Sequence, residues 1–366
     1  MFRKAFRKIH LILGLISGLI LIIIAGSGAV LSFEKEIMNS INKDIYTVPL
    51  SNKEKIPIIK LLEGFKKKKP NLEITVISFS NIKSSSLYFK TIKRDGDKKQ
   101  VSKYYINPYN GEFLAQEKGE DFFRTVERLH RTLLLNDIGK HLVGFSVFSL
   151  LILIFSGVVM SFAKLKKRFF KSLTFSFKSK GQYFLKSSHS SFAMWLMPFY
   201  LFAALSGLNW SYSWYNNAFY KIMGVEKVQR TTNKSINLQK DSKLDEVDRA
   251  ITIFESEVRN KYIYSLVKLP VNGTVYSFLY LDENAKHRRE RNKLVLDIKT
   301  KKVLKHERFE NKPLNEQIMI SMLTLHTGEY FGIFGQIILF ISSLLLPFLV
   351  ITGFLIYARK KESKLI

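Results

Sequence analysis

Five of the seven histidines in this 366-residue chain stand at the ends of four long apolar runs, and four of them recur at matched offsets in the two halves. His10 is followed by Ser27-Gly28 at offsets 17 and 18, and His189 by Ser206-Gly207 at the same two. His130 is followed by Gly139 at 9 and Ser156-Gly157 at 26 and 27, and His326 by Gly335 at 9 and Thr352-Gly353 at 26 and 27. An unpartnered polar group in hydrocarbon costs several kcal/mol, so imidazoles placed there in a duplicated pattern have work to do. Two histidines per half suggest two metal or haem sites, each taking one ligand from each half.

The elements that must position them are the apolar runs themselves. Residues 11–33, 139–162, 192–212 and 331–357 are each long enough for a bilayer core, which takes about 20 apolar residues. The first run is not expected to be a cleaved signal, because no small-residue cleavage site follows and the helical pattern continues into Phe33-Glu34-Lys35-Glu36. A net charge of +28 on a soluble domain would point to nucleic acid. Here much of it gathers beside the runs, at Arg3, Lys4, Arg7 and Lys8, through residues 164–186, and at Arg359, Lys360 and Lys361. The positive-inside rule then places these three stretches and both termini in the cytoplasm, and the connections 34–138 and 213–330 outside. The predicted partner of this charge is the lipid bilayer and no nucleic acid. The outer connections are basic too, densest at residues 66–69 and 286–293, which suits solvated surface or an anionic ligand. With no cysteine in the chain, disulfides, thiolate-held clusters and a cysteine nucleophile are excluded.

Each outer connection reads as a small α+β unit. In the first, a helix over 53–67 precedes strands over 73–78, 86–92 and 100–106, a hairpin turn over 94–97, a turn over 107–112 and a short strand over 113–116. In the second, a helix over 244–260, apolar at Val247, Ala250, Ile251 and Phe254, precedes strands over 262–268, 273–281, 293–297 and 302–304. The predicted fold is therefore a membrane α-helical protein with four transmembrane helices and two outer α+β units in a pseudo-twofold internal repeat. Its divisions fall at 1–33, 34–138, 139–163, 164–189, 190–212, 213–330 and 331–366.

Seventeen helical residues rise about 26 Å, so His10 and Ser27 stand at opposite ends of a span. That spacing suits two stacked centres, with His10 and His189 inside and His130 and His326 outside. Gly14 and Gly18, at i+4 and i+8 from His10, and Ala193, at i+4 from His189, leave room beneath the imidazoles for a flat macrocycle. Read blandly, Gly14-x-x-x-Gly18 is a helix-packing motif. His141 has Ile337 as its counterpart and is an alternate outer ligand, with Asn136-Asp137 expected to interrupt the chain before it. His287 and His306 are expected at the surface of the second outer unit. Trp210, Tyr212, Trp214 and Tyr215 read as an interfacial aromatic belt or a neighbour of an outer cofactor. No phosphate-binding glycine loop, His-Glu-x-x-His or Gly-x-Ser-x-Gly is present.

At Arg7-Lys8-Ile9-His10 leading into Gly14, at Leu129-His130-Arg131 with Leu133-Leu134-Leu135 and Gly139, and at Leu325-His326-Thr327-Gly328, the chain resembles the PepSY-associated transmembrane family, which includes iron-regulated membrane proteins and ferric-siderophore reductases of Gram-negative bacteria. The resemblance covers essentially the whole chain, including two PepSY-like outer units. It departs at Ser187-Ser188, where a basic or acidic residue commonly precedes the histidine. It implies an inner-membrane protein with periplasmic outer units and two b-type haems, His10 and His189 holding the inner one and His130 and His326 the outer. The implied activity is reduction of a periplasmic ferric siderophore or other ferric chelate, fed by a separate cytoplasmic donor or the quinol pool. The alternative is a membrane-anchored peptide- or protease-binding protein, or sensor, without redox activity. A transporter is the third reading.

Overall fold

A computed structural model describes residues 2–96, 98–227, 244–259, 261–270 and 273–362. Residues 97 and 260, at the ends of the predicted hairpin turn and second outer helix, lie outside the described residues, as do 228–243 and the tail beyond 362. The chain divides into two compact units: Met1–Glu34 with Asp121–Lys227 and Ser321–Ile366, and Lys35–Glu120 with Val228–Ile320.

In chain order the helices are α1 (Phe2–Ser32), α2 (Glu34–Ile41), α3 (Lys43–Tyr46), α4 (Ile58–Lys68), α5 (Glu120–Thr132), α6 (Asn136–Ser172), α7 (Gly181–Ser211), α8 (Ser213–Ile222), α9 (Leu244–Val258), α10 (Leu314–Ile320), α11 (Met322–Thr327) and α12 (Gly332–Glu362). Four stretches are long and apolar enough to cross a membrane: Arg3–Ser32, Asn136–Phe162, Gly181–Ser211 and Glu329–Arg359. They form a closed ring, α1 packing on α6 and α12, and α7 packing on the same two. Leu21, Ala25, Leu196, Tyr200, Leu346 and Leu349 fill its centre. Large side chains such as Ile16, Leu19, Phe155 and Phe354 point outward, where hydrocarbon rather than water would solvate them. Pro198 and Pro347 sit within α7 and α12, as spanning helices tolerate when neighbours satisfy the freed backbone groups. α7 begins eight residues before His189, so Ser187 and Ser188 lie inside the helix.

The two short helices that carry histidines are joined to spans by tight turns. Between α5 and α6, Leu133, Leu134 and Asn136 have φ of 49°, 61° and 52°, so the interruption expected at Asn136 is present. Left-handed backbone in non-glycine residues costs about 1–3 kcal/mol each and persists only where the surroundings hold it. The holding contact is Gly139, where an added Cβ would overlap the Thr132 carbonyl. Between α11 and α12, Gly328 is the left-handed residue, with φ 82°, and a Cβ on Gly335 would overlap the Gly328 carbonyl. In both turns the glycine nine residues past the histidine meets the carbonyl two residues past it.

The second unit holds strands β1 (Glu73–Phe79), β2 (Leu87–Asp95), β3 (Lys98–Ile106), β4 (Tyr262–Lys268), β5 (Val275–Asp282), β6 (Arg291–Asp297) and β7 (Lys302–Glu307). The predicted helix-then-strands order appears in both connecting segments, but they do not form two separate units. β1 pairs antiparallel with β4, Val76 opposite Lys268 and Phe79 opposite Ser265, giving one seven-stranded antiparallel sheet ordered β3-β2-β1-β4-β5-β6-β7. An unpaired β1 or β4 would expose a row of backbone donors and acceptors, and joining the segments removes both edges. The expected strand at 113–116 reduces to a single bridge, Ile106 with Phe113. α4 contributes Leu61, Leu62 and Phe65, and α9 contributes Val247, Ala250, Ile251 and Phe254, to a single core with Ile77, Phe89, Val267, Tyr276, Phe278, Leu294 and Leu296.

Candidate cofactor site

The four matched histidines come together as two pairs. His10 on α1 faces His189 on α7 with ring centroids 6.4 Å apart, and His130 on α5 faces His326 on α11 at 6.3 Å. Each pair joins one half of the sequence to the other. α1 runs unbroken past both, with His10 near its start and Ser27, beside His130, near its end. The pairs are thus separated along the helix axis by about 26 Å.

Each imidazole uses Nδ1 to hydrogen-bond a hydroxyl on the neighbouring span of its own half. His10 Nδ1 is 2.8 Å from Ser156 Oγ, His189 Nδ1 is 2.9 Å from Thr352 Oγ1, His130 Nδ1 is 3.2 Å from Ser27 Oγ, and His326 Nδ1 is 2.8 Å from Ser206 Oγ. All four hydroxyl residues are buried. The glycine after each hydroxyl lies under the ring. A Cβ there would meet the imidazole Cε1 at 3.8 Å for Gly157, 3.5 Å for Gly353, 3.0 Å for Gly28 and 3.3 Å for Gly207. The Ser-Gly and Thr-Gly dipeptides that mark the duplicated pattern are therefore the seats of the histidines. The sequence showed their spacing; which histidine each one seats depends on how the spans pair.

Whether these residues suit a haem can be tested on the spacing. An imidazole centroid stands about 1.2 Å from its nitrogens and a metal–imidazole bond is about 2.0 Å, so two rings across one iron have centroids roughly 6.4 Å apart. Both pairs match. Two imidazole nitrogens are what a haem, whose macrocycle brings four nitrogens of its own, would take from the protein. The His10–His189 pair also borders an apolar cavity of about 500 Å³, lined among others by Gly14, Gly18, Ala193, Met197 and Tyr200. Gly14 and Ala193 stand where room was expected. Gly18 has a packing role as well, since a Cβ on it would come 2.8 Å from Val350 Cγ1 on α12.

Burial pushes His130 and His326 below the usual imidazole range, His326 to about 4 with the neighbouring His130 adding to the effect. Both are neutral at pH 7, the state that offers a lone pair to a metal. His141 is not part of either pair. It is exposed on α6, with its ring 5.9 Å from Tyr212. Trp210 lies edge-on to His326 at 5.4 Å, and Tyr212 stacks on Trp214 at 6.1 Å, so the aromatic belt adjoins the second pair. Gly144 admits Tyr212, whose phenol a Cβ there would overlap.

In the sheet unit His287 is buried, contrary to the surface placement expected, with Nε2 3.4 Å from Glu290 and its ring against Phe309. His306 is half-buried, its Nε2 2.7 Å from the Tyr280 phenol. Neither sits with the four.

Four apolar spans in a ring with paired imidazoles in their midst and a separate antiparallel sheet unit define a multi-pass membrane protein. The family model described as the PepSY-associated TM region matches residues 7–360, and the chain belongs to that family. No curated protein matches the sequence significantly.

Proposed function

We propose that the chain is a di-haem electron carrier of the inner membrane that passes electrons to a ferric siderophore or other ferric chelate on the periplasmic side. The observation that carries this reading is the double pairing, two imidazole pairs at haem-ligand spacing at the two ends of one span. His10 and His189 would hold one b-type haem and His130 and His326 the other. Haem, when bound, supplies a one-electron couple at iron. The protein's part would be to hold the paired imidazoles, keep water from the cavity with apolar walls at Leu153, Leu349 and Val350, and bring the partly exposed Trp210 against His326. Basic residues beside the spans orient the termini and the first pair to the cytoplasm. Residues 34–138 and 213–330 then lie in the periplasm, with the second pair nearer the substrate. The equal offsets in the two halves support an internal duplication with its axis along the membrane normal.

Detergent-purified protein should show a Soret band with sharp α and β bands on dithionite reduction, and close to two haems per chain. In sealed vesicles with reduced haem, an impermeant ferric siderophore should oxidise it rapidly only from the face carrying the sheet unit. A protein that stays colourless after incubation with haem overturns the redox reading and favours a peptide-binding or sensor role.

A further inference from the structure

The hydroxyl seats do more than fill space, and the direction of their hydrogen bonds shows what. A serine or threonine hydroxyl has one hydrogen to give. In all four seats it is given to the residue's own helix: Ser156 to the Leu153 carbonyl at 3.1 Å, Thr352 to Phe348 at 2.8 Å, Ser27 to Ile23 at 2.7 Å and Ser206 to Phe202 at 2.7 Å. What remains toward the imidazole is a lone pair, which accepts, so Nδ1 must carry the proton. His130 makes the same point independently. Its Nδ1 lies 2.9 Å from the Ile24 carbonyl, which accepts only.

With the proton on Nδ1, the lone pair is on Nε2, the far nitrogen of each ring. We infer that Ser27, Ser156, Ser206 and Thr352 are positioning residues that fix all four imidazoles as Nδ1–H tautomers, holding Nε2 as the ligating atom and setting the rotation of each ring. This rests on the proposed function for the identity of the ligated metal, and not for the tautomers. Each half of the chain seats its own two histidines and each pair is completed across the halves, so seating and ligation are separable in this fold. Metal-ligating histidines whose second nitrogen loses its partner generally bind about 10–100-fold less tightly.

Ser206→Ala is the sharpest variant, because among the described residues Ser206 is the one partner of the His326 Nδ1. Ser27→Ala is its control, since the Ile24 carbonyl still accepts from His130. At a pH where the rings are neutral, ¹⁵N spectra of histidine-labelled, haem-free protein should show four rings protonated at Nδ1. Ser206→Ala should move one of them towards the Nε2–H form, and Ser206→Thr should restore it. With haem, Ser206→Ala should weaken binding at one site about 10–100-fold and shift the low-spin electron paramagnetic resonance signal, while Ser27→Ala changes both less. Thermal unfolding in detergent shows whether each variant is folded, and Ser156→Ala and Thr352→Ala repeat the test at the other pair. Wild-type rings protonated at Nε2, or folded Ser206→Ala and Thr352→Ala variants with unchanged tautomers, affinity and resonance signal, would overturn the inference. Wild-type protein with the stated tautomers but no haem binding would leave the seats standing and remove the haem reading alone.

Discussion

The pair His10–His189 and the pair His130–His326 share one seating chemistry on two kinds of support. His10 and His189 project from the interiors of long helices, α1 and α7, and border a cavity whose walls are spans. His130 and His326 ride on the short helices α5 and α11, each tied to its span by a turn in left-handed backbone with a glycine under its carbonyl. The first pair is as rigid as the ring of spans. The second is only as rigid as its turns, and the half with leucines at positive φ carries more strain than the half with Gly328. The comparison predicts that perturbations to helix packing act on the first pair and perturbations to the turns act on the second.

Removing a ligand gives the largest expected effect and tests the comparison at its root. Haem per chain should fall from near two towards one in His10→Ala and in His326→Ala, each leaving a single redox transition in a potentiometric titration. Unchanged stoichiometry in both variants would remove the assignment of either pair.

The turns come next. A Cβ at position 139 would overlap the Thr132 carbonyl, and one at position 335 the Gly328 carbonyl, so neither helix start can keep its place. Gly139→Val and Gly335→Val should lose most of the His130–His326 haem while the His10–His189 haem stays. Equal loss from both pairs in haem-content and spectral measurements would mean that the second pair is no more dependent on its turns than the first.

A smaller effect, confined to the other pair, should come from the cavity. Gly14 lines it, and an added Cβ would meet Leu153 only at an ordinary 3.8 Å, so a large side chain there fills the cavity without forcing the helices apart. Gly14→Leu should weaken haem binding at the first pair by about tenfold, roughly 1.4 kcal/mol, and leave the second unchanged. Because Gly18 meets Val350, Gly18→Leu should cost thermal stability as well, and that difference separates space kept for a cofactor from space kept for a neighbouring helix.

Much of the membrane unit was legible in the sequence because its signals are local. Apolar run length marks a span, and equal offsets mark a repeated pattern without reference to any contact. The sheet was legible only in part. Helix and strand patterns in each connecting segment could be read from period and turn residues, but the β1–β4 pairing links Val76 to Lys268 across the second and third spans, and no local pattern encodes it. His287 failed for a related reason. Its neighbours in sequence are lysines and arginines, while Phe309, which covers it, comes from a segment 22 residues on. The seats lie between these cases. Ser156-Gly157 and Thr352-Gly353 were visible as repeated marks, and their role required knowing that α1 lies against α6 and α7 against α12.

The smallest expected effect belongs to His141, and it isolates what seating adds to mere proximity. His141 is eleven residues from His130 and within ring contact of Tyr212, which neighbours the aromatic residues around the second pair. It is exposed, no hydroxyl-glycine seat holds it among the described residues, and the other half carries Ile337 in its place. If seating selects the ligand, His141→Ala should keep two haems per chain and change stability by no more than about 0.5 kcal/mol, as for other surface substitutions. His130→Ala should lose the second haem with His141 intact. The reverse result, loss in His141→Ala and retention in His130→Ala by haem quantification, would mean that the Ser27 seat holds a structural imidazole and that ligation at this end follows a rearrangement of the α5–α6 turn.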